Sequence, residues 1–245
     1  MLSVIIITKN EEQNLRRCLE SVRFADEIIV NDSGSTDKTL AIAAEFGCRT
    51  ITSAFAGFGA AKQMALEQAT GEWVLSIDAD EVVDEELRKG ILSCIEKGDH
   101  DGWLVNRKSE FLGRWITHSG WYPDYILRLF RRDKARFTPN EVHEKVDVSG
   151  SVGRVEGHIL HYTDPNISHY LTKLDRYTAL SAKMLFEADK KFRWHYLIVK
   201  PIAIWVKMYI LKRGFLDGMA GFILAALSSF HVFCKYAKLW ELRNQ

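Results

Sequence analysis

An α/β fold built on a mostly parallel, doubly wound sheet is predicted by three observations. Short, continuous β-branched runs, Val4-Ile5-Ile6-Ile7 first among them, read as strands covered on both faces. Amphipathic stretches separate these runs, so strands and helices alternate along the first hundred or so residues. Polar, turn-forming residues follow three of the strands: Thr8-Lys9-Asn10-Glu11, Asp32-Ser33-Gly34-Ser35 and Asp78-Ala79-Asp80-Glu81. Open α/β sheets bind ligands beyond such carboxyl ends.

The elements follow in order. After the first strand, Asn10 is expected to cap a helix carrying Leu15, Cys18, Leu19 and Val22, with Gln13 as its capping-box partner. A second strand, Glu27-Ile28-Ile29-Val30, leads to a turn whose Ser35 or Thr36 starts a helix running to Phe46 and stopped by Gly47. A stretch at Arg49-Thr50-Ile51, a helix over 60–69, a strand over 73–77 and a helix over 84–97 extend the alternation. Beyond Gly98 short strands are expected over 103–106, 126–130 and 155–161, and Asn166 caps a long helix. The implied organisation is a first half at 1–98, a second half of the same domain at 99–165 that builds a second substrate's site, and a helical extension at 166–245.

With 245 residues and 47% hydrophobic side chains the chain can bury a full core. A net charge of +1 argues against bulk nucleic-acid binding. Cys18, Cys48, Cys94 and Cys234 form no C-x-x-C pair, which fits a reducing cytoplasm, and the N-terminal apolar run is too short for a secretory signal.

Asp78 and Asp80 close the apolar run Trp73 to Ile77, and two carboxylates at a strand end suit magnesium or manganese, whose shell substrate phosphates complete. Asp32 can accept hydrogen bonds from a base or ribose, and Thr8 and Asn10, beside Glu11, can contact the same nucleoside. Helix capping by Asn10 or Ser35 and an Asx turn at Asp32 are the structural alternatives. No G-x-G-x-x-G follows the first strand and no P-loop pattern is present, which disfavours a dinucleotide dehydrogenase.

Ser3 to Glu12, Asp32 to Asp37 and Leu75 to Glu81, in that order, resemble the inverting, sugar-nucleotide-dependent glycosyltransferases of family 2, which have the GT-A fold. A narrower likeness, to bacterial lipopolysaccharide inner-core heptose β-1,4-glucosyltransferases, lies in Leu127 to Arg132, Val142-His143-Glu144 and Gly214 to Gly218. The resemblance implies a metal-dependent hexose transfer from UDP-glucose to a lipid-linked saccharide. Glu144 matches the family's base and His161 the place of a histidine metal ligand beside Asp80, although spacing alone leaves His158 and His161 open. Asp78 then contacts ribose or the metal shell. Lys62 stands where a basic side chain reaches the nucleotide, with a solvated helix face as the alternative. The family's second strand commonly ends in two acids, whereas Asn31-Asp32 offers one.

The segment from Phe111 to Pro123 supplies aromatic faces for sugar stacking and two glycines that permit movement, and reads as an acceptor loop or lid. Arg107, Lys108, Arg114, Arg128, Arg131 and Arg132 add positive charge suited to an anionic acceptor, or else guard strand edges. The last fifty residues, rich in aromatics and flanked by lysine and arginine, fit helices lying on the inner face of the cytoplasmic membrane, with a packed helical hairpin as the alternative. Their most apolar stretch, Met219 to Phe230, is too short to span a bilayer. Three other functions compete with this reading: a polyprenyl-phosphate sugar transferase, a haloacid-dehalogenase-like phosphatase using Asp78-Ala79-Asp80-Glu81-Val82, and a non-catalytic membrane adaptor. The phosphatase lacks a later G-D-x-x-x-D pattern.

Overall fold

The computed structural model describes residues 1–54, 56–138 and 145–244. The chain divides into two compact units, one formed by Met1–Arg107 with Asp124–His161, the other by Lys108–Pro123 with Tyr162–Gln245.

In chain order the elements are β1 (Leu2–Thr8), α1 (Leu15–Ser21), β2 (Glu27–Asp32), α2 (Thr39–Glu45), β3 (Arg49–Thr52), α3 (Phe58–Gln68), β4 (Trp73–Asp78), β5 (Glu81–Val83) and α4 (Glu85–Lys97). They continue as β6 (Gly102–Phe111), β7 (Arg114–Trp115), β8 (Asp124–Arg131), β9 (Ala135–Phe137), β10 (Val146–Val148), β11 (Val152–Asp164), α5 (Ile167–Glu187), α6 (Val199–Trp205) and α7 (Gly218–Arg243).

The sheet order is β3-β2-β1-β4-β8-β6-β11-β5. Strands β1 to β4 run parallel, and β8 joins β4 antiparallel. Alternation along β1 explains the two layers. Val4 and Ile6 face a core shared with Leu15, Leu19, Ile42, Leu87 and Ile91, whereas Ile5 faces Ala65, Leu66 and Phe130. Helices α1, α2 and α4 therefore cover one face and α3 the other, and each isoleucine so buried contributes about 2–3 kcal/mol.

Two helix starts differ from the sequence expectation. Asn10 does not cap α1: its backbone is left-handed, with φ of 57°, and its side-chain oxygen instead accepts from Thr36 N at 2.8 Å. Helix α1 consequently begins at Leu15, and α2 begins at Thr39, whose N–H donates to Asp37 Oδ1 at 3.0 Å. Helix α4 starts where expected, and the Asn166 cap matches the expectation. Asp84 accepts from Leu87 N at 2.7 Å and Asn166 from His169 N at 2.8 Å, satisfying amides that have no partner within a helix's first turn.

In the second unit, Phe111, Ile116 and Leu224 form one buried cluster, and Ala182, Tyr236 and Leu239 another. The segment Gly214–Arg243 is 30 residues with a mean hydropathy of 1.5 in its most apolar window, long and apolar enough by length and composition to cross a membrane. Helix α7 itself continues beyond the apolar stretch Met219 to Phe230, past His231, Lys235 and Lys238, to Arg243.

Candidate functional site

Parallel pairing sets three loop tips side by side. Thr8 pairs with Asp32 and Ile7 with Asp78, so β1, β2 and β4 end at one edge of the sheet. Two of the loops are joined by side chain to backbone bonds. Ser35 Oγ accepts from Asn10 N at 2.8 Å, Thr39 Oγ1 from Glu11 N at 2.8 Å, and Glu12 Oε2 from Lys38 N at 3.0 Å.

Asp32 is buried, and its carboxylate accepts from Gly34 N at 2.9 Å, from Ser35 N at 2.8 Å and from the Ser35 hydroxyl. It forms the Asx turn that shapes its own loop. The neighbouring Asn31, also buried, donates to Ala61 O at 2.8 Å and accepts from Ser53 Oγ at 2.9 Å, fastening α3 and the segment after β3 to the sheet. Glu11 accepts from Asn14 Nδ2 at 2.8 Å in the turn before α1. Thr8 is buried and its Oγ1 has no hydrogen-bond partner among the described residues. A buried hydroxyl in that condition can accept a partner from a ligand.

At the end of β4 the charges are strongly coupled. Asp78 Oδ1 lies 2.9 Å from Lys62 Nζ and its Oδ2 2.8 Å from Arg128 Nη2. Arg128 Nη2 also reaches Glu81 Oε1 at 2.8 Å, and Glu81 Oε2 accepts from Asp78 N at 2.8 Å. Burial opposes ionisation of Asp78, but the Lys62 and Arg128 cations outweigh it and hold the carboxyl well below the usual range. Burial dominates at Glu81 and raises its carboxyl despite Arg128. Lys62 is only 2% exposed, so the alternative of a solvated helix face is excluded by its ion pair inside the unit.

Strand β5 pairs antiparallel with β11, placing His161 opposite Glu81. His161 Nε2 thereby comes within 3.3 Å of Asp80 Oδ2. His158 lies on the other face of β11, with Nδ1 3.2 Å from Asp84 Oδ2. Of the two histidines left open by spacing, the geometry brings His161 to Asp80. The pair offers a carboxylate oxygen and an imidazole nitrogen close enough to share one cation at bonds of about 2.1 Å, a donor set that fits magnesium or manganese. Burial works against a charged His161, but its hydrogen bond to Asp80 and that carboxylate's charge outweigh it and raise the imidazole above its ordinary value. Asp84, Glu86 and His158 also place ligand atoms within 4.8 Å of one another. There the Asp84 carboxylate already caps α4, and Glu86 is exposed.

The expected base, Glu144, lies outside the described residues. Several arginines assigned to acceptor charge have other partners. Arg128 is buried between Asp78 and Glu81, and Arg107 binds Asp124 at 2.8 and 3.0 Å. Arg131 covers the Trp73 ring at 4.6 Å, and Arg132 donates to Ala69 O at 2.9 Å. Arg114 stays exposed, and Lys108 sits 5.9 Å over the Trp115 ring. Phe111 is buried and Trp121 packs against its cluster, which leaves Trp115 and Tyr122 as partly exposed rings of the loop. Sequence reasoning missed the partnership of Glu81 with Arg128, for which only the acidic residue directly after Asp80 gave a signal.

The family model for glycosyl transferase family 2 matches residues 3–154, more than half of the chain. The chain belongs to glycosyl transferase family 2. Among relatives, the lipopolysaccharide core biosynthesis glycosyltransferase LpsC of Rhizobium meliloti (strain 1021) is 33% identical over 248 residues, covering 98% of this chain and 92% of that protein. The uncharacterized glycosyltransferase RT0209 of Rickettsia typhi is 31% identical, covering 98% and 87%. Among solved structures, S. aureus TarS 1–349 in complex with UDP-GlcNAc superposes with a TM-score of 0.51 at 16% identity, covering 99% of this chain and 91% of that one. That likeness concerns the fold, which is the mixed α/β GT-A arrangement described above.

Proposed function

We propose that this glycosyltransferase moves glucose from UDP-glucose, with inversion and with a divalent cation, to a saccharide hydroxyl of lipopolysaccharide core at the inner face of the cytoplasmic membrane. The observation that carries the reading is the convergence of Asp80 and His161 at the strand edge where Thr8 and Asp32 also end. The acceptor class rests on the name and near-full-length likeness of LpsC.

In this reading Asp80 and His161 hold magnesium or manganese, which when bound neutralises charge on the departing nucleoside diphosphate. Thr8 offers its unpaired hydroxyl to the nucleoside, and the loops carrying Asn10, Glu11 and Asp32, already joined to each other, form a preorganised wall for base and ribose. Asp78 acts through position: tied to Lys62 and Arg128, it stays ionised and fixes the start of the turn that presents Asp80. Lys62 is held by Asp78 on the sheet side, and because its ammonium carries three donors, a bond to the donor phosphates does not require that pair to break. The attacking hydroxyl gives its proton to Glu144, a carboxylate of the type such a step requires.

A peripheral membrane seat is supported by the exposed apolar side chains Leu211, Phe215, Leu216 and Met219 beside Lys212 and Arg213, the pattern of an interfacial segment on anionic lipid.

The test incubates the protein with UDP-glucose, manganese and heptose-terminated lipopolysaccharide core, and follows UDP release and the mass of the saccharide. A hexose added to the core, lost in Glu144→Gln with donor binding retained, is the expected result. Addition to a polyprenyl phosphate but not to the core overturns the acceptor assignment.

A further inference from the structure

Asp217 stands directly before α7, where an aspartate ordinarily accepts from the helix's own first amides, yet its side chain makes no such bond. The residue is 1% exposed, and its carboxylate is directed instead to three consecutive residues of the loop between β7 and β8. Oδ1 accepts from Thr117 N at 3.1 Å and Thr117 Oγ1 at 3.2 Å, and Oδ2 from His118 N at 3.0 Å and Ser119 Oγ at 3.1 Å. His118 Nδ1 lies 3.2 Å from Oδ1.

The segment that delivers this carboxylate leaves no room for a side chain at two glycines. A Cβ on Gly214 would meet Ser119 Oγ at 2.7 Å and Met208 O at 2.8 Å, and one on Gly221 would meet Gly214 O at 2.0 Å. The held loop is in turn a strained shape, with left-handed backbone at Ser119 and Gly120, φ 59° and 80°. Burying a carboxylate is costly unless its hydrogen bonds are satisfied, and here each named partner belongs to that loop.

One consequence is chemical. Nδ1 also lies 3.1 Å from Thr117 Oγ1; with that hydroxyl's one proton given to Asp217, the imidazole nitrogen facing both oxygens carries the proton, and a neutral His118 ring has its lone pair on Nε2. The His118 side chain is 34% exposed. Strand β7, directly before that loop, carries exposed Arg114 and the Trp115 ring, which meets Tyr162 edge-on at 5.2 Å and lies under Lys108. An aromatic face, cations and an oriented imidazole together form the equipment of a saccharide-recognising segment.

We propose that Asp217 is a positioning residue that holds Thr117 to Ser119 in one conformation and presents His118 Nε2 to a hydroxyl of the saccharide acceptor. This rests on the transferase reading above and adds to it an acceptor contact within the second unit.

The experiment measures UDP-glucose affinity by titration, and transfer to heptose-terminated lipopolysaccharide core at varied acceptor concentration, for the unsubstituted protein, His118→Gln, Asp217→Asn and the double variant, all below their melting temperatures. Donor affinity is expected to stay within about twofold, while kcat/KM for the acceptor falls about tenfold in each single variant and no further in the double, as for two groups acting as one unit. Amide exchange at Thr117 and His118 rises in Asp217→Asn but not in His118→Gln. His118→Gln with unchanged kcat/KM for the acceptor, or single effects that multiply in the double variant, overturns the proposal while leaving the transferase reading standing. No transfer by the unsubstituted protein overturns both.

Discussion

Lys62 Nζ lies 2.9 Å from Asp78 Oδ1, joining helix α3 to the end of strand β4 through a pair of which the lysine is wholly withdrawn from solvent. The relationship makes Lys62 a structural cation before it is anything else. Lys62→Met leaves Asp78 with Arg128 alone and is expected to lower unfolding free energy by about 2–3 kcal/mol, measured by urea denaturation. Unchanged stability would show that Arg128 suffices.

Gly157, within β11, has φ of 93°, and a Cβ there would stand 2.1 Å from Leu87 N and 2.4 Å from Leu87 Cα. Both strain and collision fall on backbone, which cannot rotate away. Gly157→Ala is expected to destabilise the first unit by about 3 kcal/mol or more and to displace β11 beside β5, loosening His161 from Asp80. A thermal melt checks the first expectation, and a melt like that of the unsubstituted protein contradicts it.

Glu27 answers to pH. Burial opposes its ionisation, but the Ser3 hydroxyl and Thr70 amide and hydroxyl, with Arg49 nearby, outweigh it and lower the carboxyl below its ordinary value. Because the folded-state value is the lower one, the stabilisation is complete above about pH 5 and is lost as pH falls through the depressed value. Glu27→Gln is expected to flatten the stability profile between about pH 5 and 3 while leaving the slope near neutrality unchanged. Parallel profiles for the two proteins would contradict the assignment.

The membrane seat predicts binding to vesicles containing anionic lipid, weakened by salt and weaker still on zwitterionic vesicles. Leu211 and Met219 are 71% and 72% exposed, so Leu211→Glu with Met219→Glu removes lipid contact with little effect on folding. Co-sedimentation reads the outcome. Equal binding by the double variant argues for the packed-hairpin alternative.

The parallel half was legible because its strands are continuous β-branched runs and its loops carry turn residues, both local signals. Helix α4 and the Asn166 cap were legible for the same reason. What escaped depends on contacts distant in sequence. Lys62 in an ordinary helical stretch gives no sign of Asp78, and Asp217 acts on residues about a hundred positions away. The choice between His158 and His161 needed the pairing of β11 with β5, and the start of α1 needed the contact between Asn10 and Thr36. The length of α7 was hidden because its last turns, with Lys235, Lys238 and Arg243, are helical without being apolar.

The central claim, that Asp80 and His161 bind a cation used by a nucleotide sugar, is tested most directly by titrating UDP-glucose with and without manganese. Manganese is expected to tighten donor binding to the unsubstituted protein, and Asp80→Ala and His161→Ala each to weaken that metal-dependent part by about tenfold or more. A manganese-dependent increment retained in full by Asp80→Ala would contradict the account.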